Sequence, residues 1–178
     1  MDIKQLGRFW RAGHRVAGRR REDSGGAGRE CVHVCVDDCS RVAYAEVLPD
    51  QRQHTAAAFL RRACAWFARL GIVVRRVLTD NGSCYSSKLW DRACREMRTR
   101  AKKTRPYRPR TNGKAERFIQ TLLREWAYAR AYRTSVERQQ VLPICSTHYN
   151  QHRDHSSLGC RPPMTRIPGV NNVHGIHS

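Results

Sequence analysis

Lysine is scarce in this chain. Only five lysines (Lys4, Lys88, Lys102, Lys103 and Lys114) stand among the 34 basic residues of its 178; the rest are arginine. Acidic residues are also few, at 15, which leaves a net charge of +19. No apolar run approaches the ~20 residues of a membrane-crossing helix. No CxxC pair occurs, so the commonest zinc-binding spacing is missing. The start, Met1-Asp2-Ile3-Lys4-Gln5, has neither a signal-peptide nor a transit-peptide pattern. The expectation is a cytoplasmic, nucleoid-associated protein of a bacterium-like cell.

What is present points to a polyanion. A charge of +19 and a pI near 10.6 exceed what solubility requires. The arginine fork suits bidentate phosphate contacts. A codon bias toward arginine accounts for part of the excess over lysine but not for the net charge. The eight cysteines lie largely inside apolar runs. With no secretory signal they read as buried free thiols. Cys31, Cys35 and Cys39 resemble metal ligands at first, but Cys31 and Cys35 belong to a strand pattern.

The order of elements reads as β-β-β-α-β-α-β-α, a mixed five-stranded sheet flanked by helices. Residues 2–8 form a first strand, and residues 11–30, rich in Gly and Arg, a loop. Residues 31–36 alternate, with three valines on one face. Asp37 to Arg41 is a turn, and 42–48 the returning strand. Residues 55–70 are a helix with Thr55 as N-cap and Gly71 closing it. Residues 72–79 are a fourth strand. Residues 87–98 are a second helix, with Leu89, Trp90, Ala93 and Met97 inward, and 99–105 a short fifth strand. A long helix spans about 114–132. Beyond it, 136–150 is helical with an interruption at Pro143, and 161–178 is a tail. The domain reading is a core over 1–132 and a helical, irregular extension over 133–178.

Two carboxylates stand out. Asp80 ends the apolar run Ile72 to Thr79 and is followed by Asn81-Gly82; Glu116 opens a helix after Asn112-Gly113-Lys114-Ala115, and 35 residues lie between them. A carboxylate at a strand end and another on a helix, in a very basic chain, suit divalent cations on a nucleic acid. The plainer readings are a turn former for Asp80 and a first-turn glutamate favoured by the helix dipole for Glu116.

Several passages together resemble the catalytic core of the DDE transposases and retroviral integrases. Asp2-Ile3-Lys4-Gln5-Leu6-Gly7 is similar to the family's first strand, and residues 36–47 to its second and third. Leu78-Thr79-Asp80-Asn81-Gly82-Ser83 resembles its second acidic motif. Pro109-Arg110-Thr111-Asn112-Gly113-Lys114-Ala115-Glu116-Arg117 resembles its third, at the family spacing. Residues 149–159 resemble the segment after the core in bacterial insertion-sequence transposases.

The resemblance implies a ribonuclease H-like fold and metal-dependent cleavage and strand transfer. Asp2, Asp80 and Glu116 would hold two Mg²⁺ or Mn²⁺ ions about 4 Å apart. Asp37 is the other candidate for the first acidic position, and with Asp38 it also reads as a turn former. DNA, as mobile-element ends and then target, would be contacted by Lys102, Lys103, Arg105, Arg108, Arg110, Lys114 and Arg117, with Tyr107 stacking. Each of these is also plausible as part of a solvated basic loop. The histidines at 148, 152 and 155 read as surface or DNA-contact groups. Both DNA ends must be held together, so a homo-oligomer is implied. Family members carry a helix-turn-helix before the core, and Asp2 lies one residue from the start here. A truncated remnant that binds DNA or a full-length transposase is therefore a second expectation. A nuclease acting on RNA–DNA hybrids is a third.

Overall fold

A computed structural model describes residues 1–10, 28–104 and 112–167. Its elements are β1 (Asp2–Gly7), β2 (Arg29–Val36), β3 (Ala43–Leu48), α1 (Gln53–Arg69), β4 (Arg76–Thr79), α2 (Lys88–Glu96), β5 (Arg100–Lys103), α3 (Gly113–Leu122) and α4 (Ser135–Gln151). β1, β2 and β3 form the expected antiparallel meander, with Asp2 opposite Val34 and Val34 opposite Ala45. β4 and β5 pair in parallel.

The five strands expected as one sheet form two ladders, β1-β2-β3 and β4-β5. The groups meet where the Met1 amino group donates to the Leu78 carbonyl at 2.6 Å. The fourth strand is shorter than 72–79 because the end of α1 takes up its beginning. Gly71 adopts φ +74°, its N–H reaches the Ala68 carbonyl, and the Ile72 N–H reaches Phe67. This closing motif fixes Ile72 against the helix before β4 can start.

Helices cover both faces of the meander. Val32 and Val34 pack toward Phe118, Ile119 and Leu122 of α3 and Leu142 and Tyr149 of α4. On the other face Cys35 joins Phe59, Leu60 and Phe67 of α1 and Trp90 of α2. Each such large apolar side chain contributes roughly 1.5–3 kcal/mol on burial. β2 is buried on both faces, although its valines suggested one.

Several expectations need correction. Thr55 is not the cap of α1. The N-cap is Arg52, and the Asp50 carboxylate accepts from the Arg52 N–H and the Thr55 hydroxyl. Leu89 is 40% exposed rather than inward, while Trp90 and Ala93 are buried. The long helix stops early: α3 ends at Leu122 and passes into one π turn, Leu123–Ala127. The wider turn carries Trp126 inward, where its indole donates to the Arg138 carbonyl at 2.7 Å. Pro143 does not interrupt α4. Residues 163–167 pack down, with Pro163 and Ile167 buried, and are not a tail. All eight cysteines are free, but Cys39 and Cys160 are exposed.

α4 is tied to the meander by polar contacts as well. Arg138 meets Glu30 at 2.6 Å, both side chains being 3% exposed, and donates to the Gly7 carbonyl. The Asn150 amide both donates to and accepts from the Ala43 backbone at 2.8 Å. No helix among the described residues is long and apolar enough to cross a membrane.

Candidate active site

The three singled-out carboxylates arrive from three elements. Asp2 opens β1, Asp80 follows the last residue of β4, and Glu116 sits in the first turn of α3. The chain start is the hub. Its amino group holds β4 through Leu78, and the buried Asn112 side chain, at the entry to α3, donates to the Met1 carbonyl at 3.2 Å. Asn112 thus positions the helix that bears Glu116, a role its turn-like sequence context did not reveal.

The electrostatics connect the carboxylates. Burial raises the Asp2 carboxyl above its ordinary range, and a hydrogen bond from the Ile3 N–H opposes it. The negative charge of Asp80 raises it further, and that of Glu116 adds to this. Mutual repulsion of this kind is relieved by a cation. The donors are all hard oxygens, which suits Mg²⁺ or Mn²⁺ and not a soft metal. In the present arrangement Asp2 accepts from Ile3 at 2.8 Å and Asp80 from the Gly82 N–H at 3.0 Å. Among the described residues no three His, Cys, Asp or Glu side chains are drawn tightly enough together to grip an ion as they stand.

Gly82 belongs to this site for a steric reason. A Cβ there would lie 3.0 Å from the Asp80 Oδ1 and 3.5 Å from the Tyr85 ring. Tyr85 lies beneath, 3% exposed, with a hydroxyl that has no hydrogen-bond partner among the described residues. Its ring meets Trp90 edge-on at 4.8 Å. Burial pushes its phenol far up, with the charges of Asp80 and Asp2 adding to the effect. The Asn-Gly turn pointed to Asp80; nothing in the sequence pointed to Tyr85.

Asp37 closes the β2–β3 turn, its Oδ2 accepting from the Ser40 N–H and hydroxyl at 2.7 Å. Asp38 accepts from the Lys114 ammonium, and this bond outweighs the opposing effect of partial burial and holds its carboxyl below the usual range. Lys114 is therefore engaged by protein. Lys103 donates to the Ser86 hydroxyl at 2.7 Å. Lys102 and Arg117 are exposed. Arg105, Tyr107, Arg108 and Arg110 lie outside the described residues. His148 and His152 are exposed, with ring centroids 5.9 Å apart. The His155 ring packs on Tyr149.

Known proteins match this arrangement. Two family models, both described as integrase core domain, match residues 17–109 and 97–163. The putative transposase InsD for insertion element IS2E of Escherichia coli K12 is 34% identical over 86 residues, 48% of this chain and 39% of the relative. The transposase InsD for insertion element IS2A/D/F/H/I/K of Escherichia coli is 34% identical over the same length, 29% of its own. The match thus spans well under half of these curated relatives. A simian T-cell lymphotropic virus intasome, solved in complex with PP2A regulatory subunit B56 gamma, superposes over 99% of this chain and 56% of its own with TM-score 0.65 at 19% identity. The catalytic core domain of BIV integrase superposes over 93% of this chain and 91% of its own with TM-score 0.58 at 16% identity. The fold is therefore the ribonuclease H-like fold that the motifs implied. With the first model alone covering more than half of the sequence, the chain belongs to the integrase core domain family.

Proposed function

We propose that this chain is the catalytic core of a DNA transposase that cleaves DNA and transfers strands in transposition. One observation carries the reading. Asp2, Asp80 and Glu116 come from three separate elements, and the half-buried Asp2 carboxyl lies within reach of the negative charges of both others, although the chain is otherwise strongly basic. Asp2, Asp80 and Glu116 would hold two divalent cations, Mg²⁺ or Mn²⁺. When bound, those ions supply charge stabilisation for an in-line phosphoryl transfer. Asn112 keeps α3 at the chain start, and Gly82 leaves the Asp80 carboxylate room to turn.

The substrate is duplex DNA, first the ends of a mobile element and then target DNA. Lys102, Lys103, Arg105, Arg108, Arg110, Lys114 and Arg117 neutralise its phosphates, and Tyr107 stacks on it. Residues 1–132 carry the chemistry, and residues 133–178 brace them through Arg138 and Asn150. The working form is a homo-oligomer on DNA in the bacterial cytoplasm.

Purified protein with Mn²⁺ or Mg²⁺ and DNA bearing the flanks of its own element should nick and join strands. Asp80→Asn and Glu116→Gln should each abolish this while leaving DNA binding intact. Cleavage that survives both substitutions would overturn the assignment. A second reading draws on the carboxylates' engagement with local N–H groups: a protein that binds DNA without cutting it. It predicts salt-dependent binding, no products with either metal, and no change in either variant.

A further inference from the structure

A cleft of about 730 Å³ opens beside α3, and none of Asp2, Asp80 and Glu116 is among its lining residues. One wall is a stripe of Arg117, Gln120 and Thr121 of α3, at the spacing that puts side chains on one helix face, continued by Arg124 of the π turn that follows. The other wall is the segment from Arg153 to Ser157, and Arg41 and Lys114 stand in the lining too. Five cationic side chains thus face one another, and Asp154 is the sole acid among the lining residues.

The carboxylates around this cleft are arranged unusually. Asp38, its side chain 88% exposed, is approached by both Lys114 and Arg41. Glu125 holds Arg124 at 2.8 Å and Arg153 at 3.0 Å. Arg117 forms no ion pair among the described residues. Exposed pairs of this kind are worth about 0–1 kcal/mol, so a phosphate can displace the carboxylate at little cost. Lys114 lies two residues before Glu116. From Arg117 through the end of α3 to Arg124 in the π turn the chain rises roughly 10 Å, close to the axial rise of about three nucleotides of one duplex strand.

We propose that this cleft is a track for the phosphodiester backbone of duplex DNA leading away from the acidic cluster, with Arg41, Arg117, Arg124 and Arg153 as contacts and Asp38 occupying the phosphate position at Lys114 until DNA arrives. The inference rests on the reading of Asp2, Asp80 and Glu116 as a DNA-processing site. It adds the direction in which the DNA leaves that site and a carboxylate that competes with it.

The test is fluorescence anisotropy of a labelled duplex of about 30 base pairs over a range of NaCl concentrations. The Arg117→Ala/Arg124→Ala variant should lower the slope of log affinity against log salt by roughly 2, close to 0.9 per lost contact. Arg117→Lys/Arg124→Lys should keep the slope. Arg69→Ala/Arg95→Ala, which removes the same charge from the far ends of α1 and α2, should also keep it. Asp38→Asn should tighten binding at low salt. The track is wrong if the cleft and control pairs shift the slope equally, or if Asp38→Asn leaves affinity unchanged or weakens it. Strand cleavage keeps the two readings separable. Loss of cleavage in Asp80→Asn with no slope change in the cleft variant overturns the track and leaves the reaction standing. A slope change together with wild-type cleavage in Asp80→Asn supports the track and overturns the reaction.

Discussion

Single atoms decide two outcomes at the candidate site. The Gly82 N–H donates to Asp80 Oδ1, and a methyl group at residue 82 would meet that same oxygen at 3.0 Å. Gly82→Ala should therefore move the carboxylate while the fold persists. A displacement approaching 1 Å costs on the order of a hundredfold in rate. The expected pattern is a roughly 10–100-fold loss of cleavage rate with a melting temperature within a few degrees of wild type. A fall in stability with unchanged rate would show that Asp80 tolerates the move. Tyr85 argues in the opposite direction. Its buried hydroxyl has no partner among the described residues, and a desolvated unpaired hydroxyl costs about 1–3 kcal/mol. Tyr85→Phe should stabilise the protein by about 1 kcal/mol in urea unfolding. A destabilised variant would mean that the hydroxyl finds a partner in solution. His33 adds a pH effect. It is fully buried, with Nε2 on the Asp50 carbonyl and the ring against Phe59. Burial holds its pKa below the ordinary value near 6.5. The unfolded chain then binds the proton more readily, so stability falls as pH drops below about 6.5 and continues falling down to the folded value. Urea midpoints between pH 7 and pH 5 should fall more for wild type than for His33→Gln, and equal falls would dismiss the effect.

At the scale of elements, α4 is fastened to the meander by the buried Arg138–Glu30 ion pair, the Asn150–Ala43 hydrogen bonds and an apolar stripe. Removing a single partner from such an ion pair costs about 3–5 kcal/mol, because the other charge stays behind unpaired. Glu30→Gln should therefore destabilise by roughly 3 kcal/mol, and hydrogen exchange should show α4 amides losing protection first. Uniform loss of protection would mean that α4 does not open on its own. The same packing explains where the sequence could and could not be read. The meander, α1 and α2 follow from alternation, helical periodicity and Gly71. Pro143 in α4 could not be read that way. A proline inside a helix costs about 3 kcal/mol, which argues for a break, yet Arg138, Leu142, Tyr149 and Asn150 seat both halves of the helix, while Pro143 itself is exposed. Tertiary burial outweighs the local rule. The end of α3 is similar: nothing local marks residue 122, and the π turn exists because Trp126 reaches Arg138, twelve residues on. In the candidate site, the places of Asp80 after a strand and of Glu116 in a first helical turn were legible because turn and helix-start signals are local. Asn112 and the pairing of Asp38 with Lys114 were not, since each depends on a contact distant in the chain, and no local pattern set Tyr85 apart.

For the whole molecule, the dominant physical fact is a charge of +19 on 178 residues. Two effects of salt then oppose each other. Screening weakens the surface ion pairs, such as Arg61 with Glu96 and Arg62 with Glu46, each worth about 0–1 kcal/mol. Screening also relieves the repulsion among the excess cations, which destabilises the compact state. Because positive groups outnumber negative ones by more than two to one, most cations have no carboxylate to pair with, and the repulsive contribution is the larger. Raising NaCl from about 0.05 to 0.5 M shortens the screening length from roughly 14 to 4 Å. The melting temperature should therefore rise over the interval in which DNA affinity falls steeply. Differential scanning fluorimetry beside a DNA titration in the same buffers measures both. A melting temperature that falls with salt would show that the ion pairs, and not the net charge, govern the stability of the free protein. In that case the basic surface would be balanced by its own carboxylates, as Asp38 and Glu125 balance the cleft beside α3, and DNA would have to displace those partners wherever it binds.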